Sequence, residues 1–431
     1  MRRTNYLIIG NSAGGIGTVE SIRSVDEKGT ILLVSDELYP AYSRPLISKY
    51  LTGERTESGM LYRPVEFYHE NKIDCLLGSR VENIDPEDHT AELDTGEKIT
   101  WEKALLATGG VPIIPRMEGL DKRGVFSFTK LDDAKAIDEF LDEGAEEAVV
   151  IGGGLIGISV TEALAKRGLR VTVIEMKDRV LNTILDEQAS QIVEERLNEA
   201  SVEIATGCTV ARIGGNSSVE FVTLDNGQRI RCELVVVAIG VLPRTGLAKE
   251  AGIEVNRGIK VDRHMATSHP DIYCCGDAAE AHDFVYGENR VIPIWPGAHI
   301  GGRVAGYNMA GFEWEYPGGT AMNALNYFGL DITSAGMVTP PDEPHYEMLS
   351  SEYDSAYKRI VLRNNIVEGM AFIGDIEKSG MIFSLIRNKV DASEFKHELL
   401  ADDFGLACLP EHLRQEHHEK PNALAAAGVS K

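Results

Sequence analysis

The sequence predicts an α/β chain in which two homologous parallel-sheet domains are nested, each with a β-meander insertion, and a small α+β domain follows. Three observations predict it. A strand, a Gly-rich turn, a helix and a second strand occur twice in the same order. The segments after each copy match one another as well. Near residue 316 the pattern changes to short alternating strands, with no third Gly-rich turn. Repetition on this scale reads as two copies of one supersecondary unit.

In the first copy, strand Tyr6–Ile9 leads into Gly10-Asn11-Ser12-Ala13-Gly14-Gly15, a helix to about Val25 and strand Ile31–Val34. In the second, Ala148–Ile151 leads into Gly152-Gly153-Gly154-Leu155-Ile156-Gly157, a helix to Arg167 and strand Val171–Ile174. Gly78-Ser79-Arg80-Val81 is echoed by Gly207-Cys208-Thr209-Val210, and Asp94-Thr95-Gly96-Glu97 by Asp225-Asn226-Gly227-Gln228. These turns lie between runs with strand-like alternation. Leu105-Leu106-Ala107-Thr108-Gly109 with Pro112 is echoed by Val236-Val237-Ala238-Ile239-Gly240 with Pro243. Beyond Gly246 the chain runs to a short apolar strand, Ile272–Cys275, and Gly276-Asp277, which returns it to the first domain. The expected domains are 1–112 with 245–315, then 113–244, then 316–400. The last holds strands Arg359–Leu362 and Ile366–Met370 around Asn364-Asn365, and a helix near Ile376–Asn388. The polar, Ala-rich stretch 401–431 reads as a tail that is mobile or docks on a partner.

Composition narrows the function classes. A chain of 431 residues has room for roughly three domains. Its net charge of −24 repels nucleic acid and anionic membranes as main partners. No apolar run approaches a membrane span, and Met1-Arg2-Arg3 leads into a strand rather than the apolar core of a secretion signal. The six cysteines show no CxxC spacing and no cluster with histidine, so neither a zinc nor an iron–sulfur ligand set is expected. They read as reduced core thiols of a cytoplasmic protein. His264, His269, His282 and His299 read as surface or packing residues, and His417-His418 as a solvated face.

The second Gly turn has the context its chemistry needs. Gly152 permits the tight turn, Gly154 lets a pyrophosphate approach the backbone, and Gly157 packs helix on strand. Free N–H groups at Leu155 and Ile156 then face the phosphates. Glu175 follows the next strand, where a carboxylate can accept both ribose hydroxyls. It would repel a 2′-phosphate, so NAD(H) is expected over NADP(H), with Lys177 and Arg179 as the opposing signal. The first turn places Ser12 in the middle-Gly slot, where its hydroxyl can serve a phosphate beside Ala13 and Gly14. Asp36 is the expected ribose ligand and Glu37 the close second. Both domains are therefore Rossmann-like.

These motifs carry a resemblance. The two Gly turns, Ala107-Thr108-Gly109 and Ile272-Tyr273-Cys274-Cys275-Gly276-Asp277 resemble the FAD-dependent pyridine nucleotide reductases over about residues 4–312. The resemblance implies FAD in the first domain, along Gly10, Ser12, Ala13, Gly14, Asp36, Glu37, Arg44, Pro45, Val81, Ala107, Thr108 and Gly109. It implies NAD(H) in the second, along Gly152, Gly154, Leu155, Ile156, Gly157, Glu175 and Gly240. Asp277, after Gly276, matches the residue that bonds the ribityl chain. Trp295-Pro296, with Gly301-Gly302-Arg303, looks like the helix start that meets the flavin ring.

Tyr42-Ser43-Arg44-Pro45-Leu46-Ile47-Ser48-Lys49 discriminates within the family. Its disulfide reductases carry a CxxxxC pair, and its coenzyme A disulfide, peroxide and oxygen reductases a single redox Cys, which aligns with Pro45. This segment instead resembles Tyr-x-Arg-Pro-x-x-Ser-Lys of rubredoxin and ferredoxin reductases, which implies that Lys49 lies near flavin N5. Relatives often pair that Lys with a Glu where Ser159 stands; Glu162 lies one turn along the same helix. Thr320–Gly336 resembles the C-terminal domain of the nitrite-reductase-like, anaerobic branch, here without a sirohaem or iron–sulfur domain to reduce nitrite.

The resemblance thus implies a flavoprotein that exchanges electrons between NAD(H) and an iron–sulfur carrier: a rubredoxin, a ferredoxin, or a ferredoxin-like subunit of a complex such as a tungsten aldehyde oxidoreductase. Two rivals remain. One is an NADH oxidase using oxygen; the other is a flavin-bearing interaction protein whose redox state controls binding.

Overall fold

The computed structural model describes residues 2–353, 356–411 and 414. Contacts divide the chain into two units, one of Met1–Leu181 with Glu194–Ala321, the other of Asn182–Val193 with Met322–Lys431.

The first unit contains both repeats. Strand Arg2–Ile9 lies between strands Ile31–Ser35 and Lys98–Leu106, parallel to both, and Ile73–Leu77 extends the sheet beyond Ile31–Ser35. All five residues of Ile31–Ser35 are buried, as expected for a parallel strand covered on both faces. The long strand Lys98–Leu106 serves two further partners besides Arg2–Ile9. Its start pairs antiparallel with Thr90–Leu93 of the meander, and its end pairs parallel with Ile272–Cys274. That last pairing brings the returning segment back into the first sheet.

The second repeat forms an all-parallel sheet in the order Glu203–Thr206, Arg170–Glu175, Glu147–Ile151, Leu234–Val237 and Val125–Ser127. Its meander is the antiparallel sheet Val210–Gly214, Phe221–Leu224 and Arg229–Arg231. A two-stranded ribbon, Gly110–Pro112 with Val241–Pro243, joins the repeats. The α/β class read from the repeats is the class observed.

One strand begins earlier than its apolar run suggests. Residues Arg2, Arg3 and Thr4 pair with Ile99, Thr100 and Trp101. A neighbouring strand of nine residues supplies the ladder, so tertiary pairing overrides the polar composition.

Helices Ala13–Val25 and Trp295–Met309 run side by side at unusually close range. A Cβ on Gly302 would lie 2.1 Å from the Gly14 carbonyl oxygen, and one on Gly306 would lie 2.5 Å from that of Thr18. The Thr18 hydroxyl donates to the Gly302 carbonyl at 2.8 Å. The contacts advance in the same sense along both helices, so their N-terminal ends point the same way.

In the second unit, five antiparallel strands run in the order Met322–Tyr327, Leu330–Gly336, Ile366–Ile373, Ala356–Arg363, Tyr346–Tyr353. Helix Ser379–Asn388 packs on this sheet, burying Ile382, Leu385 and Ile386. Asp186 is bound to it by the Tyr357 hydroxyl at 2.6 Å and Arg359 at 2.8 Å. This small domain is antiparallel sheet plus helix, as its alternating pattern predicts. Of the tail expected at 401–431, residues 412, 413 and 415–431 lie outside the described residues. Among the described residues, no helix is long and apolar enough to cross a membrane, and no group of three His, Cys, Asp or Glu could hold a metal ion.

Candidate functional site

Both Gly turns sit at the carboxyl ends of parallel strands, where ligands of open α/β sheets bind. The repeats match in register as well as in sequence. Gly10 donates its N–H to Val34 at 2.9 Å, and Gly152 donates to Ile174 at 2.8 Å. Gly10 and Gly152 have φ of +123° and +112°, a region that side chains rarely occupy. The middle position explains how a diphosphate would be admitted. Gly154 precedes helix Leu155–Lys166, and a Cβ there would meet no heavy atom within 4 Å. Ser12 precedes helix Ala13–Val25 at the same place in the first turn, and its side chain makes no capping bond. Each helix presents N–H groups and a positive dipole end at the open face.

In the second repeat Glu175 is buried. Its carboxylate accepts the N–H of Gly153 at 2.6 Å and of Lys177 at 2.8 Å. Two backbone donors fix its orientation beside the Gly turn, with lone pairs left for hydroxyl donors. Arg179, the nearby cation, is engaged by Asp178 at 2.9 Å.

The first repeat differs in the equivalent place. By strand register Ser35 stands where Glu175 stands, so the carboxylates come one and two residues later. Glu37 is buried, and its oxygens accept from the Tyr42 hydroxyl at 2.6 Å and from Arg44. Asp36 is partly exposed and paired with Arg244 at 2.7 Å. Burial pushes its carboxyl up, but the Arg244 hydrogen bond and charge outweigh this and hold it below the usual carboxylate range. Gly78 donates to the Glu37 carbonyl and Ser79 to that of Ser35, which sets the turn before Val81 against this pair.

The other predicted residues gather round the same end. Ala107 donates to the Ile9 carbonyl at 2.8 Å. The Thr108 hydroxyl donates to the Arg244 carbonyl, and Arg244 N–H to that of Gly109. Gly240 accepts from Ile113 across the ribbon. Gly276, with φ of +72°, turns the chain out of strand Ile272–Cys274 to present Asp277. Burial pushes the Asp277 carboxyl up, and the charge of Arg44 only partly opposes it. Pro45 follows Arg44 in a short helical turn that continues into helix Ile47–Leu51, which carries Lys49.

Trp295 and Pro296 open helix Trp295–Met309. Tyr62 meets the Trp295 ring edge-on at 5.0 Å and shares a hydrogen bond with His299 Nδ1 at 3.2 Å. His299 lies 3.7 Å from Glu20, which also binds Arg63 at 2.6 Å. Sequence reasoning missed Tyr62, Arg244 and the clamping of Arg44 by Glu37. Gly14, Gly302 and Gly306 are what permit the close helix packing.

Lys49 Nζ lies 3.3 Å from Glu54 Oε2. Buried Glu162 lies 3.2 Å from Lys166, one helical turn away. Cysteine does not enter this end of the sheet from the Arg44–Lys49 segment, since Pro45 holds that position. Cys275 is fully buried, its Sγ close against Gly14, and burial pushes its thiol up to about 12.

Two Gly-turn nucleotide sites on consecutive Rossmann-like repeats, with an acidic residue behind a returning strand, define a flavin- and nicotinamide-dependent oxidoreductase. The comparisons agree: the pyridine nucleotide-disulphide oxidoreductase family matches residues 4–302, and the rubredoxin NAD+ reductase C-terminal domain matches residues 322–390. The chain belongs to this pyridine nucleotide-disulphide oxidoreductase family and is an FAD-dependent NAD(P)H oxidoreductase.

Among its relatives is the nitrite reductase [NAD(P)H] of Bacillus subtilis, 32% identical over 91% of this chain and 48% of that protein. Another is the NADH-dependent phenylglyoxylate dehydrogenase subunit epsilon of Aromatoleum evansii, 29% identical over 93% of this chain and 96% of the subunit. The chain therefore spans about half of the first relative and nearly all of the second. The solved NAD-dependent persulfide reductase of A. fulgidus is 27% identical, with a TM-score of 0.85 over 91% of this chain and 78% of that one.

Proposed function

We propose that this chain carries electrons between NAD(H) and a protein iron–sulfur carrier or partner subunit, with FAD as the relay. FAD, when bound, supplies the ability to take a hydride from NADH and to release two electrons singly, the proton going to solvent. In this reading residues 1–112 with 245–315 hold FAD and 113–244 hold NAD(H). Ser12, Ala13 and Gly14 receive the FAD diphosphate, Asp36 the adenosine ribose, and Asp277 the ribityl chain. Gly154, Leu155 and Ile156 receive the nicotinamide nucleotide's diphosphate, and Glu175 its ribose. Trp295 and Pro296 bound the ring, and Lys49 provides the cation at its reactive edge. Glu37 is assigned to positioning, because Tyr42 and Arg44 already occupy its oxygens.

The observation that carries this reading is a pairing of two features. A rubredoxin NAD+ reductase C-terminal domain follows the two-nucleotide fold, and Pro45 occupies the place a redox thiol would need. Without a thiol there, electrons pass straight from the ring to an outside acceptor. The match to nearly all of a dehydrogenase subunit supports membership of a complex.

The test is acceptor competition. Reduce the FAD-loaded protein with NADH under anaerobic conditions, then mix it with rubredoxin, ferredoxin or oxygen. Reoxidation at least tenfold faster by an iron–sulfur protein supports the proposal. Fastest reoxidation by oxygen would instead establish an NADH oxidase.

A further inference from the structure

Lys49 is the first member of a chain of alternating charges that crosses from the first repeat to the second. Its Nζ lies 3.3 Å from Glu54 Oε2, and Glu54 Oε1 lies 3.1 Å from Lys166 Nζ. Lys166 in turn lies 3.2 Å from Glu162 Oε1. Glu162 is buried on helix Leu155–Lys166, the helix whose first turn faces the second nucleotide site. Neighbouring bonds hold the segment in place. Arg55 N–H and the Thr52 hydroxyl both donate to the Lys49 carbonyl at 3.0 Å. Arg167, next after that helix, donates to the Leu51 carbonyl at 2.8 Å and pairs with Asp138.

We propose that Glu54 is a positioning residue for electron transfer: it holds the Lys49 ammonium and offsets part of its charge, and Lys166 limits how much. This rests on the assignment of Lys49 to the flavin edge. The physics is a competition for one carboxylate. Glu54 has two cations within 3.3 Å and shares its charge between them. A cation near the ring favours the reduced, anionic form, so anything that neutralises Lys49 disfavours reduction. Glu54 is partly exposed, which keeps its influence modest and adjustable. The second nucleotide's helix carries Lys166, so the same chain links that helix to the flavin-side cation.

The experiment is an anaerobic titration of the FAD-loaded protein with NAD+/NADH mixtures, read by flavin absorbance, for Glu54→Gln, Glu54→Asp, Lys49→Ala and the Lys49→Ala/Glu54→Gln double variant. Glu54→Gln is expected to raise the equilibrium constant for reduction about two- to fivefold. Glu54→Asp keeps the charge and should restore most of the wild-type value. Lys49→Ala should lower the constant, and in that background Glu54→Gln should have no effect. Lys166→Met should act in the opposite direction to Glu54→Gln, because it leaves the carboxylate wholly to Lys49. Two outcomes would overturn the proposal while leaving Lys49 in its role: no change in Glu54→Gln, or the same change with and without Lys49. No change in Lys49→Ala would remove Lys49 from the flavin edge, and the role of Glu54 with it.

Discussion

Glu175 accepts the backbone N–H of Gly153 at 2.6 Å, so the acidic end of one strand is tied to the Gly turn at the end of its neighbour. Lys177 N–H holds the second oxygen at 2.8 Å. The carboxylate is thus fixed beside the Gly turn, where the proposed function puts the adenosine ribose.

This arrangement predicts selectivity for NADH. A buried carboxylate facing a 2′-phosphate costs enough for at least about tenfold discrimination in kcat/KM. Steady-state rates with an artificial dye acceptor measure it. Glu175→Ala should narrow the ratio, mainly by improving NADPH. Equal rates for both nucleotides in the wild type would remove Glu175 from this role.

Asp277 predicts a pH-dependent stability of the FAD-free protein. Burial raises its carboxyl above the unfolded value, with Arg44 opposing. Such a group takes up a proton on folding. Its contribution is therefore most favourable below about pH 4 and is lost as pH rises through the raised folded pKa. Asp277→Asn should raise the melting temperature of the FAD-free protein at pH 7 by about 2–4 °C. The gain should vanish near pH 4, and FAD should bind more weakly at pH 7. A gain of equal size at both pH values would show that the carboxyl charge is not its source.

Gly302 predicts a coupling between packing and cofactor retention. A Cβ there would press on the Gly14 carbonyl at 2.1 Å, inside the pair of helices that begin at Ala13 and Trp295. Overpacking of this kind costs about 1–3 kcal/mol. Gly302→Ala should lower the melting temperature and speed FAD release, whereas Gly311→Ala should leave FAD release unchanged. A Cβ on Gly311 would be strained by its positive φ but would crowd nothing, so it controls for destabilisation without a close contact. Equal FAD release in both variants would show that the close contact is not what retains the cofactor.

The acidic surface predicts how a partner is held. At a net charge of −24, an acidic ferredoxin would be repelled unless the contact is largely non-electrostatic. A complex purified from the native host should survive 1 M salt, where the Debye length is roughly 3 Å. Removing residues 401–431 should weaken it if the tail docks. Elution of the flavoprotein alone, with carrier reduction that slows as salt rises, would establish a diffusing carrier.

Much of the fold was legible because its signals are local. Apolar strands, glycines at positive φ and the order of motifs lie within a few residues of one another, and the repetition doubled each signal. The same holds for Glu175, which the chain itself places at a strand end beside its Gly turn. The absence of a thiol at Pro45 was equally plain.

Other features depended on residues far apart in the chain. Strand pairing made Arg2–Thr4 part of the first sheet, although their composition is polar. Side-chain competition separated Asp36 from Glu37, because Tyr42 and Arg44 take the oxygens of Glu37 while Arg244 reaches Asp36 from 208 positions away. With Ser159 where relatives carry a Glu, the sequence leaves the partner of Lys49 open, and the structure supplies Glu54. By itself the sequence determined the periodicities, the turns and the chemistry of each motif, because these follow from short-range backbone geometry. Only the tertiary structure decided which charge meets which, because that choice depends on burial and on distances between segments that local patterns do not encode.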